Sequence, residues 1–127
     1  MTAKNKASEA FDYSKYIVSG ITEMVTLEIP ETGDSFEVSV KPLSWSKRNQ
    51  IISKNLNWDG SGTTNFSADG YVRDCLKEML IEAPWGRTTE TFLMTLDARL
   101  GNVLETLVPK AFGGDETGFI SPLDDPN

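Results

Sequence analysis

Apolar residues recur at every second position in two short stretches near the beginning of the chain. In "EMVTLEIP" every second residue from Val25 is apolar, and in "SFEVSV" every second residue from Phe36 is apolar. The segment "PETGDS" between them is rich in turn-forming residues and contains Gly33. A period of two is typical of a strand with one buried face. The pattern therefore predicts a β-hairpin over residues 23–41.

Four later segments have the spacing of amphipathic helices. The clearest covers residues 68–82, because its apolar positions form one broad stripe. This stripe comprises Tyr71, Val72, Cys75, Leu76, Met79 and Leu80. Similar spacing predicts further helices over about 44–57, 89–96 and 98–108. Proline at position 84 ends the helix over 68–82, because proline cannot continue the helical hydrogen bonds.

Short polar residues lie where each predicted helix would begin. Their side-chain oxygens can accept hydrogen bonds from the free N–H groups of the first turn, so they are typical N-caps. The candidate caps are Ser44, either Ser67 or Asp69, either Thr88 or Thr89, and Asp97. The agreement of caps with apolar spacing supports all four helices.

The order of these elements predicts an α+β fold, with an N-terminal antiparallel β-hairpin followed by a small helical bundle of about four helices. Residues 21–112 would form a single globular domain, with "NWDGSGTTNFS" as a mobile loop within it. Residues 1–20 are mostly polar and predict a flexible arm, whose scattered aromatic residues leave open a docking role. Residues 113–127, "GGDETGFISPLDDPN", predict an acidic flexible tail.

Length and charge narrow the classes of function. A chain of 127 residues with 39% hydrophobic residues suits one modest core. Its formal net charge of −7 disfavours binding to nucleic acids and to anionic membranes. We find neither an apolar run long enough to span a bilayer nor a secretory signal at the beginning of the chain. A single cysteine allows no internal disulfide, which favours a reducing cytosol.

The side chains that usually carry catalysis are scarce. The chain has no histidine, so Cys75 lacks an imidazole to activate it and is predicted to be a buried core residue. The hairpin carboxylates, predicted to be solvent-exposed, are Glu28, Glu31, Asp34 and Glu37. The segment "DGSGTTN" lacks the lysine of a phosphate-binding loop. We therefore predict no catalytic, cofactor-binding or metal-binding residues, no cofactor, and no enzymatic activity.

The three tryptophans are the most informative residues for a binding function. Trp45, near a helix beginning, is predicted to lie in the core, whereas Trp58 begins the predicted loop, where a core role is harder to arrange. Trp85 lies in a turn, where it either closes the end of the bundle by packing over the last helix or anchors a partner; the first is favoured.

A cluster of basic residues lies in the first predicted helix. Its members are Lys47, Arg48 and Lys54. An ordinary solvent-exposed helix face is favoured, and binding to an acidic partner or to the chain's own acidic tail is left open.

Three segments in the predicted order resemble a known family. They are "KPLSW" before the first helix, "IEAPWG" after the second, and the leucine-rich "LDARLGNVLETLVP". Over roughly residues 22–112 the chain resembles tail assembly chaperones of long-tailed bacteriophages, and related small baseplate-hub assembly proteins of contractile-tailed phages. Many members are mainly helical, so the predicted hairpin departs from the simplest of them.

The resemblance implies a non-enzymatic function in virion assembly. Such chaperones bind the tape-measure protein, and often tube or hub proteins, in the host cytoplasm, and are generally absent from the finished virion. The alternative is a permanent structural subunit of a phage tail, baseplate or neck. A homo-oligomer is left open. The side chains that we select as partner contacts are Trp58, Trp85, Phe92, Phe112, Phe119 and Ile120.

Overall fold

The computed structural model describes residues 10–58, 60–62 and 64–112, which form two small antiparallel sheets and four α-helices. The strands are β1 (Glu23–Glu28), β2 (Ser35–Val40), β3 (Leu56–Trp58), β4 (Thr64–Phe66) and β5 (Leu80–Glu82). The α-helices are α1 (Trp45–Lys54), α2 (Ala68–Met79), α3 (Glu90–Met94) and α4 (Ala98–Glu105). A hairpin followed by four helices confirms the predicted α+β fold class.

The hairpin of β1 and β2 has the register that the alternating pattern indicates. Val25 lies opposite Val38, and Leu27 lies opposite Phe36, so the apolar residues of both strands share one face. Gly33 in the connecting turn has a φ of +80°, a conformation that glycine adopts without a steric penalty. The turn is closed by the Ile29 amide, which donates to the carbonyl oxygen of Asp34 at 2.8 Å.

A third strand replaces the end of the helix predicted over 68–82. Helix α2 ends at Met79, and β5 pairs with the free edge of β2, giving the sheet order β1-β2-β5. The pairing is antiparallel, with Val40 opposite Leu80 and Ser39 opposite Glu82. The prediction was wrong here because Leu80 continues the helical apolar stripe, whereas its strand conformation depends on pairing with the distant β2.

A second sheet replaces the end of the first predicted helix and much of the predicted mobile loop. Helix α1 ends at Lys54 and not near residue 57. The following Asn55 donates from Nδ2 to the Ile51 carbonyl oxygen at 2.9 Å and to Asp74 Oδ2 at 3.0 Å. β3 and β4 then form a two-stranded hairpin. The prediction of a mobile loop was therefore wrong for these residues.

The N-caps agree with the sequence prediction, although the last two helices are shorter than predicted. Ser44, Ser67, Thr89 and Asp97 each accept a hydrogen bond from an N–H group of the first turn. The structure thus selects Ser67 over Asp69 and Thr89 over Thr88. Helix α3 ends at Met94 and α4 ends at Glu105, before the predicted ends at 96 and 108.

The core lies between the inner face of the first sheet and helix α2. Leu104 of α4 and Cys75 of α2 are completely buried, and Cys75 thereby occupies the core position predicted for it. The buried apolar residues are Val38, Val40, Ile51, Tyr71, Cys75, Leu76, Met79, Leu80 and Leu104. Helix α2 supplies four of these nine side chains, so it is the element around which the others pack.

Candidate interaction surface

The segment before β1 exposes an unusual number of large apolar side chains. We call residues 10–22 the N-terminal arm; every residue in it is exposed. Its exposed large apolar residues are Phe11, Tyr13, Tyr16, Ile17, Val18 and Ile21. Monomeric proteins seldom leave contiguous apolar surface in water unless it binds something. The arm is therefore the strongest candidate for an interaction surface among the described residues.

Local contacts give part of the arm a defined shape. Tyr13–Tyr16 forms one 3₁₀ turn, and the Asp12 side chain caps it by accepting from the Ser14 amide at 3.1 Å. The rings of Phe11 and Tyr16 stack with their centroids 5.8 Å apart. Two large rings are thereby presented side by side, although neither is buried.

The base of the arm lies beside the loop that leads into helix α1. Residues 18–20 line one cleft together with residues 41–44, Lys47 and Glu78. Glu78 pairs with Lys47 at 3.9 Å and with Lys41 at 3.6 Å. Trp45 follows this loop directly and is 78% exposed. The prediction that Trp45 lies in the core was therefore wrong, because helical spacing places Trp45 on the side of Ile52 but does not determine whether a neighbouring element covers that turn.

Trp85 and Phe92, both selected as partner contacts, are half-buried and pack against each other. Their rings stack with centroids 4.9 Å apart, and the Trp85 ring meets Phe36 of β2 edge-on at 5.8 Å. Trp85 Nε1 donates to the Oγ1 atom of buried Thr88 at 2.9 Å. Trp85 was predicted to pack over the last helix. Its ring contacts instead join β2 to α3.

The other selected contacts are distributed differently. Phe112 is half-buried and meets the Phe66 ring edge-on at 5.0 Å, so part of its surface is used internally. Trp58, at the end of β3, is 74% exposed. Phe119 and Ile120 lie outside the described residues. Of the four selected side chains within the described residues, Trp58 is thus the one in an open position.

The basic residues of α1 are used within the protein. Arg48 donates from Nε to the Lys110 carbonyl oxygen at 3.1 Å and from Nη2 to the Ala111 carbonyl oxygen at 2.8 Å. Tyr71 adds a hydrogen bond from its hydroxyl to the Pro109 carbonyl oxygen at 2.7 Å. Lys54 pairs with Asp74 at 3.5 Å. The hydrogen bonds of Arg48 and Tyr71 hold the segment after α4 against α1 and α2, whereas the Lys54–Asp74 pair joins α1 to α2. No sequence pattern indicated these roles.

Ion pairs also join α2 to α3. Lys77 pairs with Glu90 at 2.6 Å and with Asp74 at 3.3 Å, and Arg73 pairs with Glu90 at 3.0 Å. Burial acts to raise the pKa of Asp74, but hydrogen bonds from Asn55 and Lys77 outweigh it and hold that pKa below its usual value. The hydrogen bond from Lys77 lowers the pKa of Glu90. The shifted pKa values of Asp74 and Glu90 are therefore explained by their pairing with neighbouring side chains within the fold.

The four hairpin carboxylates are exposed, as predicted. No group of three or more histidine, cysteine, aspartate or glutamate side chains within the described ranges could hold a metal ion. Nor does any helix in those ranges have the length and apolar character needed to cross a membrane.

Burial leaves the Cys75 thiol unreactive. Burial raises its pKa to about 11, although a hydrogen bond with Tyr71 opposes the increase. Burial also raises the pKa of Tyr71 well above its usual value. Because the thiolate is the nucleophilic form of cysteine, the thiol of the folded protein remains protonated and inert at neutral pH.

We expect Cys75 in the folded protein to react with a thiol reagent at least about 100-fold more slowly at pH 7.5 than in the unfolded chain, since both its pKa and its burial oppose attack. Absorbance of the released thiolate from an aromatic disulfide reagent, with and without guanidinium, measures both rates. The chain has one cysteine, so the signal is unambiguous. Comparable rates in the two conditions would contradict the buried placement.

Comparisons with protein-family models, with curated proteins and with solved structures found no match to this chain. The arguments for function therefore rest on the chain's own residues. The sequence left open a docking role for the aromatic residues of the arm, but neither the arm residues nor Trp45 were among the selected partner contacts. The signal that pointed to the arm was the clustering of six large apolar residues within the eleven positions 11–21.

Proposed function

We propose that this chain is a non-enzymatic assembly protein that binds another polypeptide through its N-terminal arm. The observation that carries the proposal is the exposure of all six large apolar side chains of the arm. Trp45, at 78% exposure close to the base of the arm, and Met24, at 61% exposure in β1, would extend the same surface.

The magnitude of apolar burial supports a binding function for the arm. Covering one large apolar side chain contributes about 1.5–3 kcal/mol. Covering several of them can exceed the cost of association and of ordering the arm, which is on the order of 4–15 kcal/mol. The surplus suits a reversible complex, as an assembly chaperone requires.

We further propose that the partner is a phage tail protein, with the tape-measure protein first and tube or hub proteins next. The resemblance of "KPLSW", "IEAPWG" and the leucine-rich last helical segment to tail assembly chaperones supports this choice. The proposed site of action is the host cytoplasm, before the tail is complete.

Co-expression with tape-measure and tube proteins, followed by affinity capture of this chain, tests the proposal. Replacing Tyr13, Tyr16 and Ile17 together with serine removes half of the apolar side chains of the arm. We expect retention of the partner to fall at least about tenfold, because a loss of 1.4 kcal/mol suffices for that factor. Met94→Ser is the matched control, since Met94 is 66% exposed on α3, away from the arm in sequence. Equal retention by the wild type and the triple variant would contradict a binding role for the arm.

A permanent structural subunit of the tail, baseplate or neck is the second candidate, because an exposed apolar arm equally suits a segment that stays covered by a neighbouring subunit. Quantitative mass spectrometry of purified particles separates the two functions. Stoichiometric copies of the chain in the virion would exclude the chaperone, whereas traces or none would exclude the subunit.

A further inference from the structure

One face of the β3–β4 hairpin carries all of its large apolar side chains. Leu56 lies opposite Phe66, and Trp58 lies opposite Thr64. Because alternate residues of a strand point to the same side, these four side chains share one face, and the paired Asn57 and Asn65 lie on the other. We call the side of Leu56, Trp58, Thr64 and Phe66 the hairpin face.

The protein covers one end of the hairpin face and leaves the other end open. Phe66 contacts Tyr71 at 5.7 Å and Phe112 at 5.0 Å between ring centroids, and both Leu56 and Phe66 are half-buried. Trp58, two residues further along β3, is 74% exposed. The apolar surface thus continues past the residues that cover it.

The last described residues lie against this face. Phe112 is the last described residue and contacts Phe66 directly. The three residues before it are fixed through their carbonyl oxygens, which accept hydrogen bonds from Tyr71 and Arg48. The end of the described chain, at Phe112, therefore lies next to the hairpin face.

The tail sequence contains a segment that matches the open end of the face. Gly113 and Gly114 follow Phe112, and glycine accommodates sharp changes of chain direction. Further along the tail, Phe119 and Ile120 form a pair of adjacent apolar residues. Phe119 lies seven positions after Phe112, a distance along the chain that can span up to about 23 Å, whereas Trp58 is only about 7 Å along the strand from Leu56.

We propose that Phe119 and Ile120 of the tail pack against the hairpin face and cover Trp58. The packing is intramolecular, and it makes the tail a competitor for any partner that binds Trp58. This competitive role rests on the proposed assembly function, whereas the packing itself does not.

Nuclear magnetic resonance of the full-length free chain tests the packing. The Trp58 indole resonance is assigned with the Trp58→Phe variant. We expect nuclear Overhauser effects between the Trp58 ring and the Ile120 methyl groups, and we expect Phe119→Ser with Ile120→Ser to abolish them and shift the indole resonance. Leu123→Ser, an apolar substitution in the same tail, should leave both unchanged. An indole resonance that is the same in the wild type and the double variant would overturn the proposal.

Two further measurements distinguish other occupants and the regulatory role. Nuclear Overhauser effects that appear only between differently labelled chains would show that the tail of a second copy occupies the hairpin face. That result would overturn the intramolecular contact. In affinity capture, we expect the tape-measure or tube protein to contact Trp58 in addition to the arm, so the double variant should retain several-fold more of it than the wild type, because the tail no longer occupies that second contact. Unchanged retention would overturn the competition. If neither protein is retained by any variant, the assembly function fails, while the spectra still decide the packing.

Discussion

Replacing Trp85 with alanine is expected to lower the free energy of unfolding by about 3 kcal/mol, within the range for aromatic residues in cores. The substitution removes the stack on Phe92 and the edge contact with Phe36, which together join α3 to the first sheet. It also leaves the buried Thr88 hydroxyl without the donor it has now. Because Trp85 is half-buried, the loss should lie at the lower end for a tryptophan.

Thermal and urea denaturation of the full-length chain measure this loss, which corresponds to a fall in melting temperature of about 10 °C. Trp45→Ala is the matched control, because Trp45 is 78% exposed. That substitution should change the stability by less than about 0.5 kcal/mol. Equal effects of the two substitutions would contradict the packing of Trp85 against Phe36 and Phe92.

Local chemistry was predictable from sequence where an element is determined by its own residues. The β1–β2 register follows from the alternation around Val25 and Phe36, and the turn follows from Gly33. The four helix beginnings follow from capping side chains that act within three residues of their own position. In each case the decisive interaction is short in sequence, so the pattern contains the information.

The elements that were missed depend on residues far apart in the chain. β5 continues the apolar pattern of helix α2, and only its pairing with β2 makes it a strand. β3 and β4 are three residues each, too short for periodicity to exceed the signal of the glycine- and serine-rich connection. The sequence nevertheless contains a period of two in both strands, because Asn57 lies between Leu56 and Trp58, and Asn65 lies between Thr64 and Phe66.

Burial of single side chains was the least predictable property. Trp45 lies seven residues before Ile52, which should place both on one face of α1, yet only Ile52 is half-buried. A helix face is buried only along the length that neighbouring elements cover, and that length is a tertiary property. The same limitation explains why the exposed arm residues and Trp45 were not selected from sequence.

The separation of internal from exposed aromatic residues gives the proposed function its physical basis. Trp85, Phe92, Phe66 and Phe112 pair with one another or with the sheet, so they stabilise the domain. The rings of the arm, Trp45 and Trp58 contribute little to that packing because they are exposed. Substitutions in the first group should therefore act on stability, and those in the second on binding.

Gly70→Ala is expected to destabilise the protein by about 2 kcal/mol, although alanine normally favours a helix by about 1 kcal/mol over glycine. A Cβ atom at position 70 would overlap Asn55 Oδ1 and lie 2.9 Å from Ser67 Oγ. Asn55 cannot move without weakening its hydrogen bonds to the Ile51 carbonyl oxygen and to Asp74. Ser67 is the N-cap of α2 and accepts from the Gly70 amide, so its displacement is also unfavourable.

The matched control is Gly101→Ala in α4, where an added Cβ atom meets nothing within 4 Å. There the helix preference acts alone, and we expect a stabilisation of about 1 kcal/mol. Urea denaturation of both variants should therefore give changes of opposite sign. A stabilising Gly70→Ala would mean that Asn55 does not hold the junction of α1, β3 and α2. In that case the hairpin face, whose base follows Asn55, would lose the contact that positions it beside α2.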